Sequence, residues 1–232
     1  MDWFAGEDLT GHTLSLICIG EYPGFAKFCG LGELNPEQLA GLIPDRVPVT
    51  PTMLDLGRRA WHALCADTPL AVEQLAAEDT TALPYLGEAL IRFLEQLPAV
   101  GNGLCRLEQE SLEAIAAGAH DPIAVFKAAS AAEARPFFGD TTLWGCLNQL
   151  AAGPVPLLTI AGPEPRLPQW DACDTNRWRL ALTPAGEQVL AGQADAVELN
   201  GCDRWLGGTH LRPGNLWRWD RAEHRLVSPL CP

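Results

Sequence analysis

The chain predicts an α+β fold that is predominantly helical, and three observations carry that prediction. Residues 102–199 read as helix, helix, helix, strand, a long Pro-rich excursion, strand and a short helix. The first hundred residues hold a series of helix starts that are legible from their caps: Asn35-Pro36, Thr50-Pro51 and Thr68-Pro69. Past Gly201, apolar and polar residues alternate singly, as in half-buried strands. The expected organisation is an acidic helical region with one buried strand at 1–100, a central domain at 101–199, and a Trp-rich β-hairpin extension at 200–232.

At the start, Asp2-Trp3-Phe4 reads as the tail of a helix, and Leu14 to Ile19 as a buried core strand with no companion nearby. Such a strand needs neighbours. They are expected either among the C-terminal strands or in a segment upstream of Met1. Gly30-Leu31-Gly32 after this strand hints at phosphate binding, but no third Gly and no Gly-Lys-Ser/Thr follows, so the glycines read as turn formers. Four helices follow. Asn35-Pro36-Glu37-Gln38 is a capping-box pattern. The second helix runs from Pro51 to about Ala66 with Leu54, Ala60, Trp61 and Leu64 inward, and Thr68-Pro69 opens the third. The fourth spans about Leu83 to Leu97, and Pro98 to Asn102 reads as a linker.

In the central stretch, Leu107, Leu112 and Ile115 share one face of a helix over Arg106–Ala117, ended by Gly118. Asp121-Pro122 opens the next, and Asp140 reads as the cap of a third, Thr141–Ala151, with Leu143, Trp144, Leu147 and Leu150 inward. Val155–Ile160 and Trp178–Leu182 are strand-length runs expected to pair, and the Pro-rich segment between them cannot be regular. Thr183-Pro184 caps a last helix, closed by Gly192. This order is that of a winged helix. The run Leu182-Thr183-Pro184-Ala185-Gly186-Glu187-Gln188-Val189-Leu190 resembles the strand-to-helix junction of winged-helix regulators of the multiple-antibiotic-resistance type.

Composition narrows the function classes. Hydrophobic content of 47% with 19% charge belongs to a folded chain. No apolar run reaches the length of a membrane span, and Asp2, Glu7 and Asp8 stand where a signal peptide would be basic. The eight cysteines are scattered without a Cys-x-x-Cys pair, which reads as reduced thiols in the cytoplasm. Net charge is −13, a balance that repels nucleic acid and anionic membrane.

Several segments together resemble a bacterial family known as domain of unknown function eighteen-thirty-five. The residues that carry the resemblance are Leu16-Ile17-Cys18-Ile19-Gly20-Glu21-Tyr22-Pro23-Gly24, Gly30-Leu31-Gly32-Glu33-Leu34, Pro36-Glu37-Gln38-Leu39, Asn102-Gly103-Leu104, Gly139-Asp140 and Arg204-Trp205-Leu206-Gly207-Gly208-Thr209-His210-Leu211. The resemblance implies a further upstream strand, a Gly-Asp pair and an acidic, His-containing stretch. On that reading this chain begins after them, and any site they hold is missing here.

Chemistry candidates are few. Glu21, in a loop at the end of a strand, and His210, beside Gly207-Gly208, are the catalytic candidates. No histidine spacing suggests a metal, and no cofactor motif is present, so neither is expected. If the winged helix bound DNA, its third helix would present Thr141, Thr142, Gly145, Cys146, Asn148 and Gln149, and Arg177 and Arg179 would supply phosphate contacts. The stretch from Phe138 to Glu164 holds no Arg or Lys, and phosphate contacts need cations. The expectation is therefore a cytoplasmic, non-enzymatic protein-interaction or regulatory module. Its rivals are a winged-helix DNA-binding regulator and the remnant of an enzyme completed by the upstream segment.

Overall fold

The computed structural model describes Glu7, residues 11–170 and residues 174–229; Asp2-Trp3-Phe4 lies outside them. The fold is mixed helix and strand, with small antiparallel sheets. The chain divides into two compact units, one ending at Leu94 but including Gly207–Thr209, the other made of Glu95–Leu206 and the chain from His210 onward.

In the first unit, β1 (Ser15–Leu16) pairs antiparallel with β2 (Val47–Pro48). This corrects the expected core strand at Leu14–Ile19: its partner is neither C-terminal nor upstream, and the ladder spans two residues. One further backbone bond follows it, from Val49 N to Leu14 O at 2.9 Å. Ile17 and Ile19 instead pack on Phe28, Leu34 and Leu42 together with Tyr22 and Phe25. An aromatic loop cluster therefore does the burying that a sheet was expected to do.

Helix α1 (Pro36–Gly41) opens with the reciprocal box, Asn35 Oδ1 accepting from Gln38 N and Gln38 Oε1 from Asn35 N, both at 2.9 Å. In α2 (Pro51–Leu64), Thr50 Oγ1 accepts from Met53 N. The buried face of α2 is Met53, Leu56, Ala60 and Ala63, and Trp61, expected inward, is 55% exposed. At 3.6 residues per turn Trp61 stands about a third of a turn away from that row. The row itself suits packing against α3 (Leu70–Ala76), because Ala60 and Ala63 let helices approach closely. Helix α4 (Leu86–Leu94) is shorter than expected and packs on α3. Gly207–Thr209 lies on the carboxyl end of α2: Gly208 N donates to Leu64 O at 2.8 Å and Thr209 Oγ1 to Ala66 O at 3.2 Å.

The second unit contains α5 (Arg106–Ala116), α6 (Pro122–Ala132), α7 (Asp140–Ala152), β3 (Leu158–Ala161), β4 (Arg179–Leu182), α8 (Pro184–Leu190) and α9 (Ala196–Asn200). Two hairpins follow: β5 (Arg204–Leu206) with β6 (Thr209–Leu211), and β7 (Arg218–Asp220) with β8 (Arg225–Val227). Strands β3 and β4 pair antiparallel from Leu158 opposite Leu182 to Ala161 opposite Arg179. Leu180 N also donates to His120 O at 2.8 Å, so the turn between α5 and α6 borders the same pair. Asp121 Oδ1 caps α6 through Ala124 N. Gly139, rather than Asp140, is the cap residue of α7, and Asp140 sits in its first turn. The expected linker Pro98–Asn102 is bonded into this unit: Ala99 N donates to Leu104 O, and Val100 N to Trp219 O.

The unit is held by one core. Leu112, Leu143, Leu147, Leu158, Leu180 and Val189 are all at most 1% exposed. Each such side chain contributes roughly 1.5–3 kcal/mol of burial free energy. Helix α8 meets this core at Gly186, where a Cβ would stand 2.0 Å from Leu157 O. Among the described residues, no helix is long and apolar enough to cross a membrane.

Candidate functional site

Helix α7 buries Leu143, Trp144, Leu147 and Leu150 against the core, which leaves its other side for function. Thr141, Thr142 and Gln149 are exposed there, and Gly145 and Cys146 are half-buried. Asn148 is not outward as expected; it is 4% exposed. Its Nδ2 donates to Leu167 O at 2.9 Å, and its Oδ1 accepts from Leu167 N at 2.7 Å. The cause lies in the Pro-rich loop. Pro163, Pro165 and Pro168 prevent the loop from pairing its backbone in a ladder, and a side-chain amide offers one donor and one acceptor at the right spacing. Leu167 is then buried at 2% exposure. Gln169 continues across the helix, with Nε2 3.4 Å from Thr141 O, and its Oε1 would lie 3.4 Å from a Cβ at Gly145. The row Thr141, Gly145, Asn148 is therefore crossed by the chain's own loop. Beyond it Trp170 is 94% exposed, and Phe137, just before α7, is 56% exposed.

The cations named from sequence are placed as follows. Arg177 and Arg179 are exposed, and Arg179 Nη1 donates back to Asn176 O and Trp178 O at 2.6 and 2.8 Å. Three of the five tail arginines turn to partners within the fold, while Arg212 and Arg225 are exposed. Arg204 pairs with Glu108 at 2.9 Å and bonds Gln96 O. Arg218 pairs with Asp195 at 2.7 Å, and Arg221 donates to Leu104 O. Burial opposes the Arg204 charge, and Glu108 overcomes it, leaving the guanidinium pKa above its ordinary value.

The second unit also holds a cavity of about 400 Å³. The carboxyl end of α7 (Gln149, Leu150, Gly153) forms one wall and α9 (Val197, Asn200) another. Asn200 is fixed there by reciprocal bonds to Val155 N and O, at 2.8 and 3.0 Å. The Glu108–Arg204 pair lines the cavity, and Glu108 Oε2 also accepts from Cys105 N. At the mouth, Asp203 Oδ1 lies 2.7 Å from His210 Nε2. The His210 ring is stacked on Trp205, with centroids 4.4 Å apart and planes 11° from parallel. Trp205 itself is 66% exposed.

Nucleophilic chemistry finds no support in this group. Burial, with Glu108 second, pushes the Cys105 thiol up to about 12. Burial also raises Cys146 well above its ordinary value and is the first cause of the raised Cys202. These thiols stay protonated, and the thiolate is the reactive form. His210 meets the Asp203 carboxylate and the Trp205 indole, neither of which is a hydroxyl or thiol for it to activate. The sequence argument for His210 rested on its neighbouring glycines, and those serve packing: a Cβ on Gly208 would lie 2.0 Å from Cys65 O. Glu21 is exposed beside a two-residue ladder, not at the end of an open α/β sheet, so that argument lapses too. Among the described residues, no group of three or more His, Cys, Asp or Glu could hold a metal ion.

Sequence reasoning missed Asn148 as an anchor and missed the cavity. Trp205 lies in β5 and Asp203 just before it, two residues apart, a signal that was present in the sequence. The walls of the cavity come from segments 50 residues apart and left none. Comparison with protein-family models, with curated proteins and with solved structures found no match for the chain.

Proposed function

We propose that the second unit is a winged-helix-like scaffold used for protein contact in a cytoplasmic regulatory protein, and that it does not grip DNA. The observation that carries this reading is the pair of Asn148–Leu167 bonds. A recognition helix must lay side chains against base edges in the major groove. Here the row through Asn148 is occupied by the loop, and of the two amides that could read adenine, Asn148 is spent internally while Gln149 stays exposed. Three of the five tail arginines, Arg204, Arg218 and Arg221, are paired with carboxylates or carbonyls, which leaves Arg212 and Arg225 exposed against a net charge of −13. Among the outward groups near α7 are Trp170 and Phe137, residue types that anchor protein interfaces. The resemblance to domain of unknown function eighteen-thirty-five is compatible with this reading and adds no activity to it.

The test is a fluorescence-anisotropy titration of duplex DNA with the whole chain across salt concentration. No binding is expected even at about 50 mM salt, where phosphate contacts are at their strongest. Micromolar affinity with a steep salt slope would restore the DNA-binding reading.

A further inference from the structure

We propose that the cavity of the second unit binds a small organic cation, a primary ammonium carried on an apolar body. This goes beyond the protein-contact reading and stands independently of it, because it uses neither Trp170 nor Phe137.

The charge of the walls selects the sign. Three ionised side chains line the cavity: Glu108, Asp203 and Arg204. Arg204 is tied to Glu108 and to Gln96 O, which leaves Asp203 as the lining carboxylate that no arginine pairs. Asp203 gives Oδ1 to His210 and keeps 81% of its side chain open to solvent. The carboxyl end of α7, a helix of 13 residues, forms one wall, and the partial negative charge of a helix end favours a cation. An anion entering here would face the Asp203 charge and the helix end together. The Gln149 amide, exposed at the same wall, supplies an oxygen for an ammonium hydrogen.

The rest of the cavity selects the body. Leu104, Leu150, Leu157, Val197 and Pro98 make an apolar lining. A volume of about 400 Å³ falls in the range of small-molecule sites. The polar groups around it are already fixed: Asn200 by Val155, and Glu108 by Arg204 and Cys105 N. A ligand therefore enters a preformed site with little ordering cost. A fully polar polycation would leave the leucines and Val197 uncovered, so the site fits one charge on a hydrocarbon frame.

The experiment titrates the whole chain with three probes of one shape: phenethylammonium, phenylacetate and phenylethanol. Backbone amide shifts are followed by NMR. Phenethylammonium is expected to saturate, with shifts concentrated at Gln149, Gly153, Val197 and Cys202, and phenylacetate is expected not to. Asp203→Asn keeps a hydrogen-bond partner for His210 but removes the charge, and it is expected to weaken phenethylammonium about tenfold. Gln149→Trp fills the mouth from an exposed position and is expected to abolish binding with the circular dichroism unchanged. Equal binding of phenethylammonium and phenylethanol would overturn the cationic assignment, as would unchanged affinity in Asp203→Asn. Failure of phenethylammonium to saturate would overturn the site itself. None of these outcomes touches the DNA titration, so the two proposals fail separately.

Discussion

Asn148 spends its amide on the two backbone groups of one residue, Leu167, inside a buried environment. Asn148→Ala leaves a donor and an acceptor unpaired with little water to replace the side chain. The expected loss is about 2–6 kcal/mol, at roughly 1–3 for each of the two buried groups left unsatisfied. Urea unfolding followed by tryptophan fluorescence measures it; a loss under about 0.5 kcal/mol, the level of an ordinary surface change, would mean that the loop is not anchored there. Gly186 makes a different demand. Its Cα faces Leu157 O so closely that a methyl group would sit 2.0 Å from the oxygen. Gly186→Ala should destabilise by at least about 1–3 kcal/mol, the cost of overpacking, despite the better helix propensity of alanine. The same unfolding curve checks it, and a stabilised variant would contradict the close approach of α8.

At the scale of elements, caps and lids divide the work. Thr183 Oγ1 accepts from Gly186 N and donates to Pro156 O, so one hydroxyl both starts α8 and ties it to the chain before β3. At the start of α5, Glu108 accepts from Cys105 N and meets Arg204, which places the Cys105 thiol in a dry, acidic surround. Its pKa moves from an ordinary 9.0 to about 12. Below pH 9 both folded and unfolded chains keep this proton, and the thiol's contribution to stability is complete. As pH climbs from 9 toward 12 the unfolded chain loses the proton first, so stability falls with rising pH. The slope from this group is at most about 1.4 kcal/mol per pH unit. In the native chain at about pH 8, an ordinary thiol is partly ionised. There, iodoacetamide should label the exposed Cys18 and Cys65 and spare Cys105 and Cys146. Mass spectrometry of the peptides reads the pattern, and rapid native labelling at Cys105 would contradict its burial.

Over the whole molecule, the net charge of −13 sets the long-range field. Only residues 201–232 carry a local surplus, 5 basic against 3 acidic side chains. Three of those five arginines are consumed by Glu108, Asp195 and backbone carbonyls. The expected absence of DNA binding follows from this sum as much as from the covered helix. Adding salt should leave it unchanged, since screening weakens attraction and repulsion alike. Removing the loop's anchor with Asn148→Ala should not create affinity either, because uncovering α7 supplies no cation.

The chain by itself determined the capped starts of α1, α2, α6 and α8, the β3–β4 pairing and the β7–β8 hairpin, because caps, prolines and period-two alternation act within a few residues of one another. It determined the charge balance too, which needs no coordinates. Only the tertiary structure decided which face of α2 is buried, what covers Leu14–Ile19, where Asn148 points and that a cavity lies between α7, α9 and β5. Each of these depends on partners distant in sequence: Leu167 lies 19 residues from Asn148, and Arg204 lies 96 from Glu108. An amide or a guanidinium reads alike in sequence whether it faces water, a base or a buried carbonyl, and packing alone chooses among them.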